Sequence, residues 1–100
     1  MTRIKLRAGV KSAGLSIHIL NADEHPPAHA HVVLGNNPRT GPYCKVKLGG
    51  TGDVGDPTQP PVLWEVYGLS KADARRAVEL VEQHLDVCWQ QWRRHHGNRI

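Results

Sequence analysis

His29-Ala30-His31-Val32-Val33-Leu34 and, one turn further on, Tyr43-Cys44-Lys45-Val46-Lys47-Leu48 are the stretches on which the fold is decided. An extended strand turns successive side chains to opposite sides, so alternation assigns each residue to a face. Ala30, Val32, Leu34, Cys44, Val46 and Leu48 make one apolar face, while His29, His31, Val33, Tyr43, Lys45 and Lys47 make the other. The residues between, Gly35-Asn36-Asn37-Pro38 and Gly41-Pro42, are turn formers. The same period marks Leu15-Ser16-Ile17-His18-Ile19-Leu20 upstream and Val62-Leu63-Trp64-Glu65-Val66-Tyr67 downstream. In the last run the simplest register turns Val62, Trp64 and Val66 inward and Leu63, Glu65 and Tyr67 outward. Four strands are expected, at 15–20, 29–34, 43–48 and 62–67.

Between the third and fourth runs, residues 49–61 are rich in Gly and Pro and long for a hairpin connection, which reads as a mobile loop. It lacks the Lys and Ser/Thr of a phosphate-binding loop and the spacing of a calcium-binding nonapeptide. From Ser70 onward the pattern becomes helical. Ser70 can cap the start, with Asp73 three residues on, and Leu69 can staple onto Ala74. Ala74, Ala77, Val78, Val81, Leu85, Cys88 and Trp92 recur at three- and four-residue intervals. One helix over about 71–96 is expected, ending in Arg93-Arg94-His95-His96, cations that complement the helix dipole, with Gly97 as terminator. Its stripe needs a surface to cover, and the apolar face of the strands is the one available. The expectation is an α+β domain: an antiparallel β-meander covered on one face by a long C-terminal helix, its other face open.

The chain has 100 residues, enough for one domain with one small core, roughly 65% of the unfolded surface being hidden at this size. Thirteen Lys and Arg against nine Asp and Glu leave a net charge of +4, and seven His come on top, a balance that favours anionic partners. No run is long and apolar enough for a membrane span, and no hydrophobic segment follows Met1-Thr2-Arg3-Ile4-Lys5, so a cytoplasmic protein is expected. Cys44 and Cys88 are far apart and in no metal-binding spacing; they read as two buried thiols. Trp64 and Trp92 have core register, whereas Trp89 lies off the centre of the stripe and reads as an interface anchor.

The face away from the helix carries the chemistry. His18, His29, His31, Tyr43, Lys45 and Lys47 share it, joined by Glu65 and Tyr67, and the approach to the second strand adds Glu24 and His25. Three readings follow. A divalent metal such as zinc can be held by His25, His29 and His31, with Glu24 as a further ligand. A metal-independent ribonuclease can use His29 or His31 as general acid or base and Lys45 or Lys47 as phosphate clamp. Last, the face can bind without catalysis, offering His18, His25, Tyr43 and Tyr67 to RNA or to a partner protein. Self-association through exposed Trp89 and Leu63 belongs to this last reading.

Residues 24–32, Glu24-His25-Pro26-Pro27-Ala28-His29-Ala30-His31-Val32, resemble the signature D-H-x-P-P-H-x-H-V of domain-of-unknown-function family 4160, a group of small bacterial proteins. His25, His29 and His31 match it, Glu24 replaces Asp, and Ala28 replaces the second proline of the pattern. The resemblance implies a short-strand meander with one C-terminal helix. It also implies a component of a toxin–antitoxin pair, acting on RNA or on a cognate protein encoded by a neighbouring gene.

Overall fold

In a computed structural model, residues 2–20 and 27–97 are described. They form β1 (Thr2–Arg3), β2 (Leu15–Ile19), β3 (His29–Leu34), β4 (Tyr43–Lys47), β5 (Val62–Tyr67), α1 (Lys71–Gln83) and α2 (Leu85–His96). The strands make one antiparallel sheet in the order β1-β2-β3-β4-β5. The meander thus has five strands rather than four. Thr2–Arg3 is too short to show any alternation, and it forms because Thr2 and Arg3 find Ile19 and His18 as partners.

The register carries out the alternation across the centre of the sheet. Ala30 pairs with Val46 and Val32 with Cys44 on one side, and His29 pairs with Lys47 and His31 with Lys45 on the other. Ile17, Ala30, Val32, Cys44 and Val46 are fully buried against Ala77, Leu80, Val81, Cys88 and Trp92 of the helices. Trp92 is the largest of these, and truncating a buried Trp to Ala costs about 3–5 kcal/mol. Both cysteines are buried and free, and burial pushes both thiols up to about 12.

β5 departs from the simplest register. Glu65 pairs with Lys45 but Leu63 pairs with Val46, so Trp64 is an extra residue in a β-bulge. The bulge turns Trp64 to the imidazole side, its ring 5.2 Å from that of His29, and sends Leu63 to the helix side. Val62, opposite Lys47, follows Trp64. Trp64 is therefore half-buried and outside the core, against the expectation from strict alternation.

The expected single helix is two. The Ser70 hydroxyl accepts from the Asp73 N–H at 3.1 Å, as its capping pattern predicts, and α1 then runs to Gln83. His84 breaks it, with φ −121° and ψ 23° and its N–H turned back to Glu82 and Val81. The imidazole Nδ1 donates to the Leu80 carbonyl at 2.8 Å, the acceptor that a continuous helix reserves for the His84 N–H. The helix resumes with the Cys88 N–H bonded to the His84 carbonyl and ends at Gly97, φ +64°, whose N–H bonds to Arg93. Trp89 is buried rather than an exposed anchor, with the Arg93 guanidinium 5.3 Å from its ring centre.

The 49–61 loop is stitched at its base. Asp56 donates its N–H to Gly49, Gly50 to Pro60 and Gln59 to Asp56, while the Asp56 side chain receives Thr58. Gly49 is required there, because a Cβ on it would lie 2.5 Å from the backbone N and O of Asp56.

Candidate functional site

The sheet side away from the main core is not uniformly open. At β2 and β3 it is closed: His18 and His29 are each 1% exposed and His31 6%, and Ser16 and Val33 are buried with them. Toward β4 and β5 it opens through half-buried Tyr43, Lys45, Lys47, Trp64 and Glu65 to Tyr67. The three imidazoles share this side, as alternation requires, but they are not presented to solvent. His29 is flanked by the Trp64 ring and by the Trp92 ring at 5.3 Å, Trp92 reaching it from α2. The end of α2 is fixed there by His96 donating to the Leu20 carbonyl at 3.2 Å and by His95 bonding to the Thr2 hydroxyl at 2.7 Å.

Hydrogen bonds fix the orientation of two of these imidazoles, His29 and His18. The Pro27 carbonyl accepts at 2.9 Å, so Nδ1 of His29 carries a proton. The Ser16 hydroxyl donates to the Gly35 carbonyl at 2.6 Å and therefore accepts from His18 Nε2–H at 2.8 Å. That leaves His18 Nδ1 as a bare acceptor, and no described residue donates to it. Burial, followed by the positive charge of Arg3, holds the His18 pKa below its ordinary value, which disfavours the protonated ring.

Aromatic rings continue from the imidazoles to the surface. His31 stacks on Tyr43 at 5.6 Å between ring centres, and Tyr43 on Tyr67 at 4.7 Å with planes 19° apart. Tyr67, 44% exposed, ends this ladder at the surface. Glu65 ties the rim together: one of its oxygens, Oε1, receives the Tyr67 hydroxyl at 2.9 Å and Lys45 Nζ at 3.1 Å. These two contacts, the Tyr67 hydrogen bond first, hold Glu65 below the usual carboxylate range, and the same bond raises Tyr67. Burial pulls Lys45 down, but the hydrogen bond and charge of Glu65 outweigh it and its pKa is raised overall. Lys47 donates to the Thr51 carbonyl at 3.2 Å, and both ammonium groups stand over Trp64, at 5.4 and 5.3 Å from its ring centre.

The sequence-derived set is thus partly assembled. His18, His29, His31, Tyr43, Lys45, Lys47 and Tyr67 lie on one side, as expected, whereas Glu24 and His25 lie outside the described residues. Among the described residues no three His, Cys, Asp or Glu side chains are grouped to hold a metal ion. Trp64 and Ser16 are members that sequence reasoning missed. The bulge hid Trp64, but Ser16, two residues before His18, was available from alternation. No match was found among protein-family models, curated proteins or solved structures.

Proposed function

We propose that this protein binds single-stranded RNA on the rim of the imidazole side, as an accessory component of the toxin–antitoxin type. The ladder His31–Tyr43–Tyr67 carries this reading, because it is a run of near-parallel rings that stops at an exposed tyrosine, a surface suited to stacking a further flat ring. A nucleobase supplies such a ring, and stacking on an aromatic side chain is worth about 1–3 kcal/mol per base. Lys47 beside Trp64, together with a net charge of +4, attracts the phosphates. The toxin–antitoxin role rests on the motif at residues 24–32.

Binding is favoured over cleavage. The groups that a ribonuclease would enlist are withheld from a phosphodiester, His29 and His31 by burial and Lys45 by its pairing with Glu65. The runner-up is a partner protein, favoured by the same Lys45–Glu65 neutralisation, which makes the rim less cationic than the chain as a whole.

Fluorescence anisotropy with a labelled single-stranded oligoribonucleotide tests the proposal. Affinity is expected to fall steeply as salt rises, and Tyr67→Ala to weaken it about tenfold. Salt-independent association, or equal binding by the Tyr67 variant, overturns it.

A further inference from the structure

A groove of about 600 Å³ lies along the other side of β5, away from the aromatic rim. Leu63 and Val66 of β5 and Ala74 and Val78 of α1 line it, and Lys71, Arg75 and Glu79 border it. Leu63 and Val66 are each 42% exposed, a large apolar surface to leave in water on so small a domain. β5 is also the last strand of the sheet, and no described strand pairs with its outer edge. A six-residue edge strand beside an apolar groove is a template for another strand.

We propose that the occupant is a second copy of this chain, docked antiparallel along β5 to give a two-fold symmetric dimer. The face pattern of β5 carries this. Val62 lies opposite Lys47, Glu65 opposite Lys45, Tyr67 stacks on Tyr43 and Trp64 contacts His29, so all four belong to the imidazole side. Leu63, opposite Val46, and Val66, opposite Cys44, belong to the helix side. From Val62 to Tyr67 the sides run imidazole, helix, imidazole, imidazole, helix, imidazole. This order is the same read in either direction, and the bulge at Trp64 makes it so. A two-fold axis between Trp64 and Glu65 therefore sets Leu63 against the second copy's Val66, Trp64 against its Glu65, and Val62 against its Tyr67. Every pair lies on one side of the sheet, and no like charges oppose.

Charge on α1 agrees with the same axis. The helix row bordering the groove is positive in its first half, Lys71 and Arg75, and negative beyond, at Glu79 and then Glu82 one turn on. Two such rows brought together antiparallel match opposite signs, Arg75 to the second copy's Glu79 and the reverse, over Val78 and Ala74. The Arg76 contact that Glu79 makes at 3.3 Å is a half-exposed pair within one helix and worth little. An isologous contact of this kind closes on itself at two copies. The inference stands on the groove and the edge and does not depend on RNA binding.

Sedimentation equilibrium on the full chain tests it. The wild type is expected at dimer mass at about 50 μM, with mass falling on dilution. Arg75→Glu alone and Glu79→Arg alone each place like charges at both symmetry-related contacts, so each is expected to associate at least about tenfold more weakly. Both side chains are at the surface, and circular dichroism is expected to be unchanged. An equimolar mixture of the two variants restores opposite charges at both contacts and is expected to recover dimer mass. A wild type that is monomeric at about 100 μM, a single reversal that leaves the dimer intact, or a mixture that stays monomeric overturns the proposal.

Discussion

Nδ1 of His84 lies 2.8 Å from the carbonyl oxygen of Leu80, so a side chain occupies the acceptor that its own backbone N–H would otherwise take. On its far edge the same ring accepts the Arg7 N–H through Nε2 at 2.9 Å. One buried imidazole thus ends α1, sets the direction of α2 and anchors the segment between β1 and β2. Replacing His84 by Ala strands a carbonyl and an N–H and opens a cavity, and is expected to cost about 3 kcal/mol. Urea denaturation measures it, and an unchanged midpoint would contradict the role.

His29 and His31 are structural as well as part of the candidate site. Because both are packed among aromatic rings, His29→Ala and His31→Ala are each expected to lower stability by about 2–4 kcal/mol, rather than to leave the fold intact as exposed residues would. Thermal melts of the single variants decide this, and losses below about 0.5 kcal/mol would return both rings to the surface.

Acid should weaken the fold through His18. Its pKa is lowered in the folded state, so below its ordinary value of 6.5 the unfolded chain binds the extra proton more readily. Stability is therefore full above that value and declines as pH falls through it, because Nδ1 gains a buried N–H with no described acceptor. The urea midpoint of the wild type is expected to drop between pH 7.5 and 5.5 by more than that of His18→Asn, all other histidines being common to both. Identical slopes would refute the assignment.

Gly49→Ala forces a methyl into the Asp56 backbone and should unstitch the base of the 49–61 loop. A loss of about 2 kcal/mol and faster proteolysis within that loop are expected. An alanine variant as resistant as the wild type would show that the loop yields at no cost.

Metal removal separates two readings of the imidazole side. If RNA is held by stacking and charge, binding is expected to be the same before and after exhaustive chelation. Loss on chelation with recovery on adding zinc would instead support the metal site first read from His25, His29, His31 and Glu24.

Much of the site was legible because β3 and β4 alternate without interruption. A period of two allowed His29, His31, Tyr43, Lys45 and Lys47 to be assigned to one side before any pairing was known. The capping of α1 by Ser70 and the end of α2 at Gly97 were legible for a similar reason, since each depends on neighbours within a few residues. Trp64 was misassigned because a bulge is a mismatch between two strands. Nothing within Val62–Tyr67 marks where the extra residue falls until β4 lies alongside.

The local sequence thus determined the four longer strands, the two ends of the helical region and which residues of β2, β3 and β4 share a side, because these follow from backbone periodicity and capping. Tertiary structure alone decided that the imidazoles are buried, that Tyr67 is left at the surface, that His84 divides the helix, and that β5 reads the same in both directions. Each of these depends on which distant group fills a given space or accepts a given hydrogen bond, and spacing along the chain does not encode that.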